Sequence, residues 1–215
     1  MPEGIFSKSV ATLPRLIFGR VFVVSTVAVW GWLMKLSMEL PENVFLVGPM
    51  GVGKTSVGRQ LAKLLKKQFF DSDRETELHA GASISLLFEL EGESGFRARE
   101  QSTIDRLTRR RGIVLATGGG AILIEENRVY LMNRGFVVYL RAPVARLAQR
   151  TMGDRNRPLL QTSNPRGRLE KIVRERDPFY RQVADVIVSA DGKSPRHVAN
   201  HVLSRIERMP YSSRP

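Results

Sequence analysis

The sequence predicts an α/β protein: a parallel sheet with helices on both faces. Short apolar runs recur along the chain, VFLV at Val44–Val47, IVLA at Ile113–Ala116, FVVYL at 136–140 and VIV at 186–188. Runs without polar alternation suit strands buried on both faces. Helix-length segments separate them, and that alternation builds a parallel sheet through crossover helices. Size is the third observation, since 215 residues at 42% hydrophobic content fill one well-buried domain rather than two large ones.

Taken in order, the chain opens on residues 1–37, expected to be an atypical extension outside a domain that runs 38–215. Residues 21–34, VFVVSTVAVWGWLM, carry no charge and are flanked by Arg20 and Lys35. A bilayer-spanning helix needs about 20 apolar residues, so the run is short for an anchor. A secretory signal lacks a small-x-small cleavage site here, and an interfacial helix would use Trp30 and Trp32 at the headgroup level. The expectation is a third reading, a start at Met34 or Met38 preceded by an untranslated or disordered stretch, with no membrane contact for 38–215.

The first convincing core strand is 44–47, bounded by Asn43 and Gly48. After a glycine loop, TSVGRQLAKLLKKQ places Val57, Leu61, Leu64 and Leu65 on one helical face. FFDSD, residues 69–73, reads as the end of a second strand, whose extended backbone turns Asp71 and Asp73 to the same side. Residues 74–111 are mostly helical in pattern and rich in arginine and glutamate. Residues 150–168 are rich in Arg, Pro, Asn and Gly and read as a mobile loop. No internal repeat is present, and the only low-complexity tract is the tail YSSRP.

Composition narrows the chemistry. A net charge of +13 favours anionic ligands without choosing among phosphates, carboxylates and nucleic acid. With no cysteine, disulfides and thiolate metal sites are excluded, and with only three histidines zinc is disfavoured. A reducing cytoplasm fits.

Residues 48–55, GPMGVGKT, match the phosphate-loop pattern G-x-x-x-x-G-K-[ST] between a strand and a helix. Gly51 and Gly53 let the backbone curl around phosphate oxygens at the positive end of the helix dipole. Lys54 reaches the β- and γ-phosphates of ATP, and the Thr55 hydroxyl can ligate Mg²⁺.

Many phosphate-loop proteins end a later strand with a metal-supporting aspartate. Here IVLA runs into TGGGA, so the metal needs help from elsewhere, and Asp71 and Asp73 are candidates. Gly118, Gly119 and Gly120 are either a flexible turn or a backbone that lets a ligand approach to contact. Arg97 in EGESGFRARE and Arg176 in RERDPFYRQ would suit a small carboxylate if they converge, because the guanidinium fork binds carboxylate bidentately. Whether they converge is not readable from the sequence. Arg155 and Arg157, in GDRNRPLL, are placed to close over ATP and neutralise transferring charge.

Six segments, VFLVGPMGVGKTSVGRQLA, FFDSD, EGESGFRARE, VLATGGGA, RPLL and RERDPFY, carry a resemblance to shikimate kinases in order and separation. It covers residues 43–206. The resemblance implies a three-layer α/β/α fold of the nucleoside monophosphate kinase type, with a five-stranded parallel sheet in the order 2-3-1-4-5. It implies a helical substrate-binding region near 74–111 and a lid near 150–168. It also implies ATP- and Mg²⁺-dependent phosphorylation of the shikimate 3-hydroxyl, on the route to chorismate and aromatic amino acids, by a cytoplasmic monomer.

Carried over residue by residue, phosphate binding falls on Gly51, Val52, Gly53, Lys54, Thr55 and Ser56, with Thr55 as metal ligand and Asp71 supporting the metal through water. Substrate contacts fall on Asp73, Arg97, Gly119 and Arg176, and the lid arginine on Arg157. Asp73 is the implied base, acting with Lys54 and Arg157. Where many relatives carry a glutamine at the adenine end, this chain has Lys193 nearby, so no adenine contact is assigned.

Two other classes compete. A different small-molecule kinase, such as a gluconate kinase, would share the phosphate loop but not the DSD, GFR and TGGG combination. A nucleotide-dependent RNA-binding module would use the Arg109, Arg110 and Arg111 cluster, but no aromatic platform accompanies it.

Overall fold

Strand β1 (Val44–Val47) is buried at all four residues and forms the centre of the sheet. A computed structural model describes residues 40–151 and 158–209. The extension 1–37 and the lid arginines Arg155 and Arg157 lie outside the described residues.

Around β1 stand β2 (Gln68–Asp71), β3 (Ile113–Ala116), β4 (Phe136–Arg141) and β5 (Val186–Ser189). All pairings are parallel, in the order β2-β3-β1-β4-β5, as the resemblance implies. The intervening helices are α1 (Lys54–Leu65), α2 (Ser72–Ala80), α3 (Ile84–Thr108), α4 (Glu125–Arg134), α5 (Val144–Thr151), α6 (Pro165–Val183) and α7 (Pro195–Ile206).

Alternate side chains of β1 to β4 feed two cores, as the pleat requires, whereas β5 gives Val186 and Val188 to one core and exposes Ile187. Val44, Leu46, Val138 and Leu140 pack with α1 and α7 through Leu61, Val198 and Val202. Phe45, Val47, Leu115 and Val137 pack on the other face against Ile104, Leu107, Leu131 and Val183. The three layers are therefore set by the apolar runs themselves.

Three expectations need correction. Leu64 is 41% exposed, and Gly58 and Ala62 take its place in the core. At 3.6 residues per turn the buried stripe centres near Leu61 and Gly58, which leaves Leu64 about a quarter-turn to one side. Asp73 is not on the strand, because β2 ends at Asp71 and Asp73 sits in the first turn of α2. Residues 74–111 are mostly helical, as expected, in α2 and in α3, which φ 70° and ψ −175° at Gly92 divide in two. The expected loop 150–168 is shorter than its composition suggested, since Asn164 caps α6, which begins at Pro165.

The register brings the carboxyl ends of three strands together. Leu46 and Asp71 both pair with Ala116, so the phosphate loop, the Asp71 turn and the TGGG loop leave the sheet side by side. In open α/β sheets that edge is where ligands bind. No helix among the described residues is long and apolar enough to cross a membrane.

Candidate active site

The phosphate loop turns tightly because glycine occupies its left-handed positions. Gly51 has φ 77° and Gly53, the N-cap of α1, has φ 98°, conformations costly for any residue with a Cβ. Lys54 Nζ donates to the carbonyls of Gly48 at 2.8 Å and Pro49 at 3.0 Å, which holds the ammonium over its own loop. Val52 is buried, whereas Ser56 is exposed on the first turn of α1.

Asp71 and Asp73 have separate positions. Asp71 caps α2, with Oδ1 accepting the Asp73 N–H at 3.1 Å, while Oδ2 accepts the Thr55 hydroxyl at 2.6 Å. A hydroxyl and a carboxylate oxygen beside a phosphate loop fit Mg²⁺, which takes few protein ligands and completes its shell with water and phosphate oxygens. Among the described residues no group of three carboxylate or imidazole side chains offers an all-protein cage.

Asp73 faces a different neighbour, the glycine triplet. A Cβ on Gly118 would collide with Asp73 Oδ1 and Glu100 Oε1, and one on Gly120 would collide with the Arg97 guanidinium. A Cβ on Gly119 would come within 3.3 Å of the Met50 nitrogen in the phosphate loop. The triplet is therefore a surface against which Asp73, Glu100, Arg97 and the phosphate loop all lie. The groups that approach the triplet closely in the structure are the protein's own, and a side chain at Gly118 or Gly120 would displace them.

The two arginines do converge. Arg97 lies on Gly120, and Arg176 Nη1 donates to the Gly119 carbonyl at 3.0 Å. Arg176 is only 6% exposed, and among the described residues no carboxylate stands within ion-pair distance of it. A buried cation in that state favours an anion brought by a ligand. Arg97 is paired with Glu100 at 2.6 Å and Glu93 at 2.9 Å. Burial works against its charge, but the two glutamates outweigh it and hold the guanidinium above its ordinary pKa.

Three contributors were missed in the sequence. Glu100 is 1% exposed, with one oxygen on Arg97 and the other without a hydrogen-bond partner. Burial pushes its carboxyl up, against the downward pull of Arg97 and Arg176. Ser72 Oγ accepts the Gly118 N–H at 2.7 Å and ties the triplet to α2. Arg150 Nη1 donates to the Gly51 and Val52 carbonyls at 3.3 Å. Arg150 also lines a cavity of about 260 Å³ with Gly53, Ser56 and Lys193, which puts Lys193 near the phosphate loop.

The Arg109, Arg110 and Arg111 cluster is exposed, and each member has a neighbour within the chain. Arg109 pairs with Asp105 at 3.2 Å, Arg110 lies 4.6 Å over the Phe70 ring, and Arg111 stands 3.8 Å from Glu42.

A shikimate kinase family model matches residues 50–207. The chain belongs to the shikimate kinase family. It is 55% identical over 166 residues to a shikimate kinase of Nitrosococcus oceani, covering 77% of this chain and 87% of that one. With the shikimate kinase of Halorhodospira halophila the identity is 52%, over 79% of this chain and 96% of the relative. Among solved structures, the shikimate kinase from Acinetobacter baumannii in complex with shikimate is 49% identical, with a TM-score of 0.77 over 80% of this chain and 96% of that one. Membership in this kinase family accounts for the fold and the phosphate loop together.

Proposed function

We propose that this protein transfers the γ-phosphoryl group of ATP to the 3-hydroxyl of shikimate, giving shikimate 3-phosphate and ADP on the route to aromatic amino acids. The observation that carries this reading is the glycine triplet, which joins the phosphate loop to Asp73 and to both arginines. A phosphate donor and a small hydroxylated carboxylate would meet there with no side chain between them.

In this reading Arg97 and Arg176 receive the carboxylate of shikimate, and the Gly119 backbone completes its seat. Asp73 accepts hydrogen bonds from ring hydroxyls, aligns the attacking one and takes its proton. Transfer depends mainly on alignment and charge neutralisation, so Asp73 needs no unusual basicity. Lys54 and the backbone of 51–56 hold the phosphates, and Arg157 adds positive charge from the lid. Thr55 would ligate Mg²⁺ and Asp71 support it through water; the ion bound there would offset charge on the phosphate oxygens. The protein would act as a monomer in the cytoplasm, a compartment that the cysteine-free composition fits.

A coupled ADP-release assay with ATP, Mg²⁺ and either shikimate, quinate or gluconate tests the substrate. Turnover with shikimate well above the other two is expected. A folded, ATP-binding sample that ignores shikimate would sink the reading.

A further inference from the structure

Tyr180 takes no part in the chemistry above, yet it is fully buried and its hydroxyl reaches the site. Its Oη donates to the Gly119 carbonyl at 2.5 Å, the same oxygen that accepts from Arg176 at 3.0 Å. The two donors stand four residues apart on α6 and so rise from one helix face. The ring is held in turn. Tyr139 of β4 stacks on it with centroids 5.0 Å apart, and the Tyr139 hydroxyl donates to Asp177 of α6 at 2.7 Å. Burial raises the pKa of the Tyr180 hydroxyl, which keeps it a donor at ordinary pH.

We infer that Tyr180 is a positioning residue for the acceptor substrate, fixing through the Gly119 carbonyl the peptide and the guanidinium that receive its anionic group. The inference rests on the functional reading above. Glycines bring no side chains to hold a loop in place, and two of the triplet's carbonyls are tied locally. Gly118 O accepts from Ala121 N at 3.2 Å and Gly120 O from Leu123 N at 3.0 Å. The Gly119 carbonyl is instead tied to α6, by two donors at once.

In a trans peptide the C=O and N–H point in opposite directions, so holding the Gly119 oxygen toward α6 turns the Gly120 N–H away from it. Gly120 is also where the Arg97 guanidinium rests. The tilt of this one peptide is therefore felt by Arg97 and Arg176 together. The shared oxygen also limits where the Arg176 guanidinium can sit.

Tyr180→Phe removes the hydroxyl while leaving the ring stack and the bond from Arg176, so the carbonyl is not orphaned and the fold is kept. The expected result is a shikimate KM raised about five- to tenfold, the scale of one hydrogen bond. The KM for ATP and the melting temperature stay close to wild type. p-Aminophenylalanine introduced at position 180 restores a donor and brings the shikimate KM back toward wild type.

An unchanged shikimate KM overturns the inference. So does a parallel rise in both KM values, failure of the amino variant to rescue, or failure of the Phe variant to fold, because the hydroxyl would then serve the fold and not the substrate. Wild-type turnover of shikimate is measured first. If it is absent, the functional reading falls; if it is present, the variants test Tyr180 alone.

Discussion

The Thr55 hydroxyl donates to Asp71 Oδ2 at 2.6 Å, joining the first turn of α1 to the last residue of β2. It places a carboxylate from a different strand beside the phosphate loop, where the end of β3 carries none. It also separates the two aspartates of FFDSD in position, with Asp71 turned to the phosphate loop and Asp73 to the glycine triplet.

Asp71→Asn should isolate the metal side. Asparagine caps a helix as well as aspartate, so α2 is kept while the charge is lost. The Mg²⁺ concentration for half-maximal activity should rise about 10- to 100-fold, the usual cost of losing an outer-sphere partner. Titrating activity against free Mg²⁺ checks this, and an unaltered curve removes Asp71 from the metal site.

Asp73→Asn should leave ATP affinity intact and lower kcat by roughly 10²- to 10⁴-fold, the range of a general base. Steady-state kinetics with a parallel ATP-binding titration separate the two effects. Near-normal kcat would exclude Asp73 from proton transfer and alignment.

Gly120→Ala should damage substrate binding without unfolding the protein. The new methyl group meets the end of the flexible Arg97 side chain rather than backbone, so the guanidinium moves and the loop stays. A displaced clamp can cost about 10²-fold in kcat/KM. We expect the loss to appear with shikimate as the varied substrate while the KM for ATP is unchanged; equal changes in both would mean that the loop itself had collapsed.

Glu100 gives a dependence on pH. Burial raises its carboxyl pKa in the folded chain, so the folded state holds the proton where the unfolded chain has released it. The associated stability is fully present below the unfolded value and is lost as pH rises through the folded one. Glu100→Gln cannot titrate, so its stability relative to wild type should increase as pH rises from about 4 upward. Urea midpoints across that range check the sign, and a difference that shrinks with pH would refute it.

Much of this was legible in the sequence. The phosphate loop and the four unbroken apolar runs specify their own local structure, and the family resemblance supplied the strand order. Asp73 was misplaced because its extended reading ignored a helix-start signal, an aspartate followed by acidic residues in the next turn. The convergence of Arg97 and Arg176 was not legible, since it depends on which helix packs against which loop. Glu100 and Tyr180 were overlooked for a similar reason. Each lies near a recognised arginine on the same helix, but burial, the property that gives it a role, arises only once α3 and α6 close over the triplet.

The most direct test of the central claim is phosphorus–proton correlation NMR on a reaction of the protein with ATP, Mg²⁺ and shikimate. One new phosphorus resonance coupled to the C3 proton of shikimate is expected, formed in step with ADP. A phosphorus coupled to another ring position, or ADP formed with no phosphorylated shikimate, would contradict it.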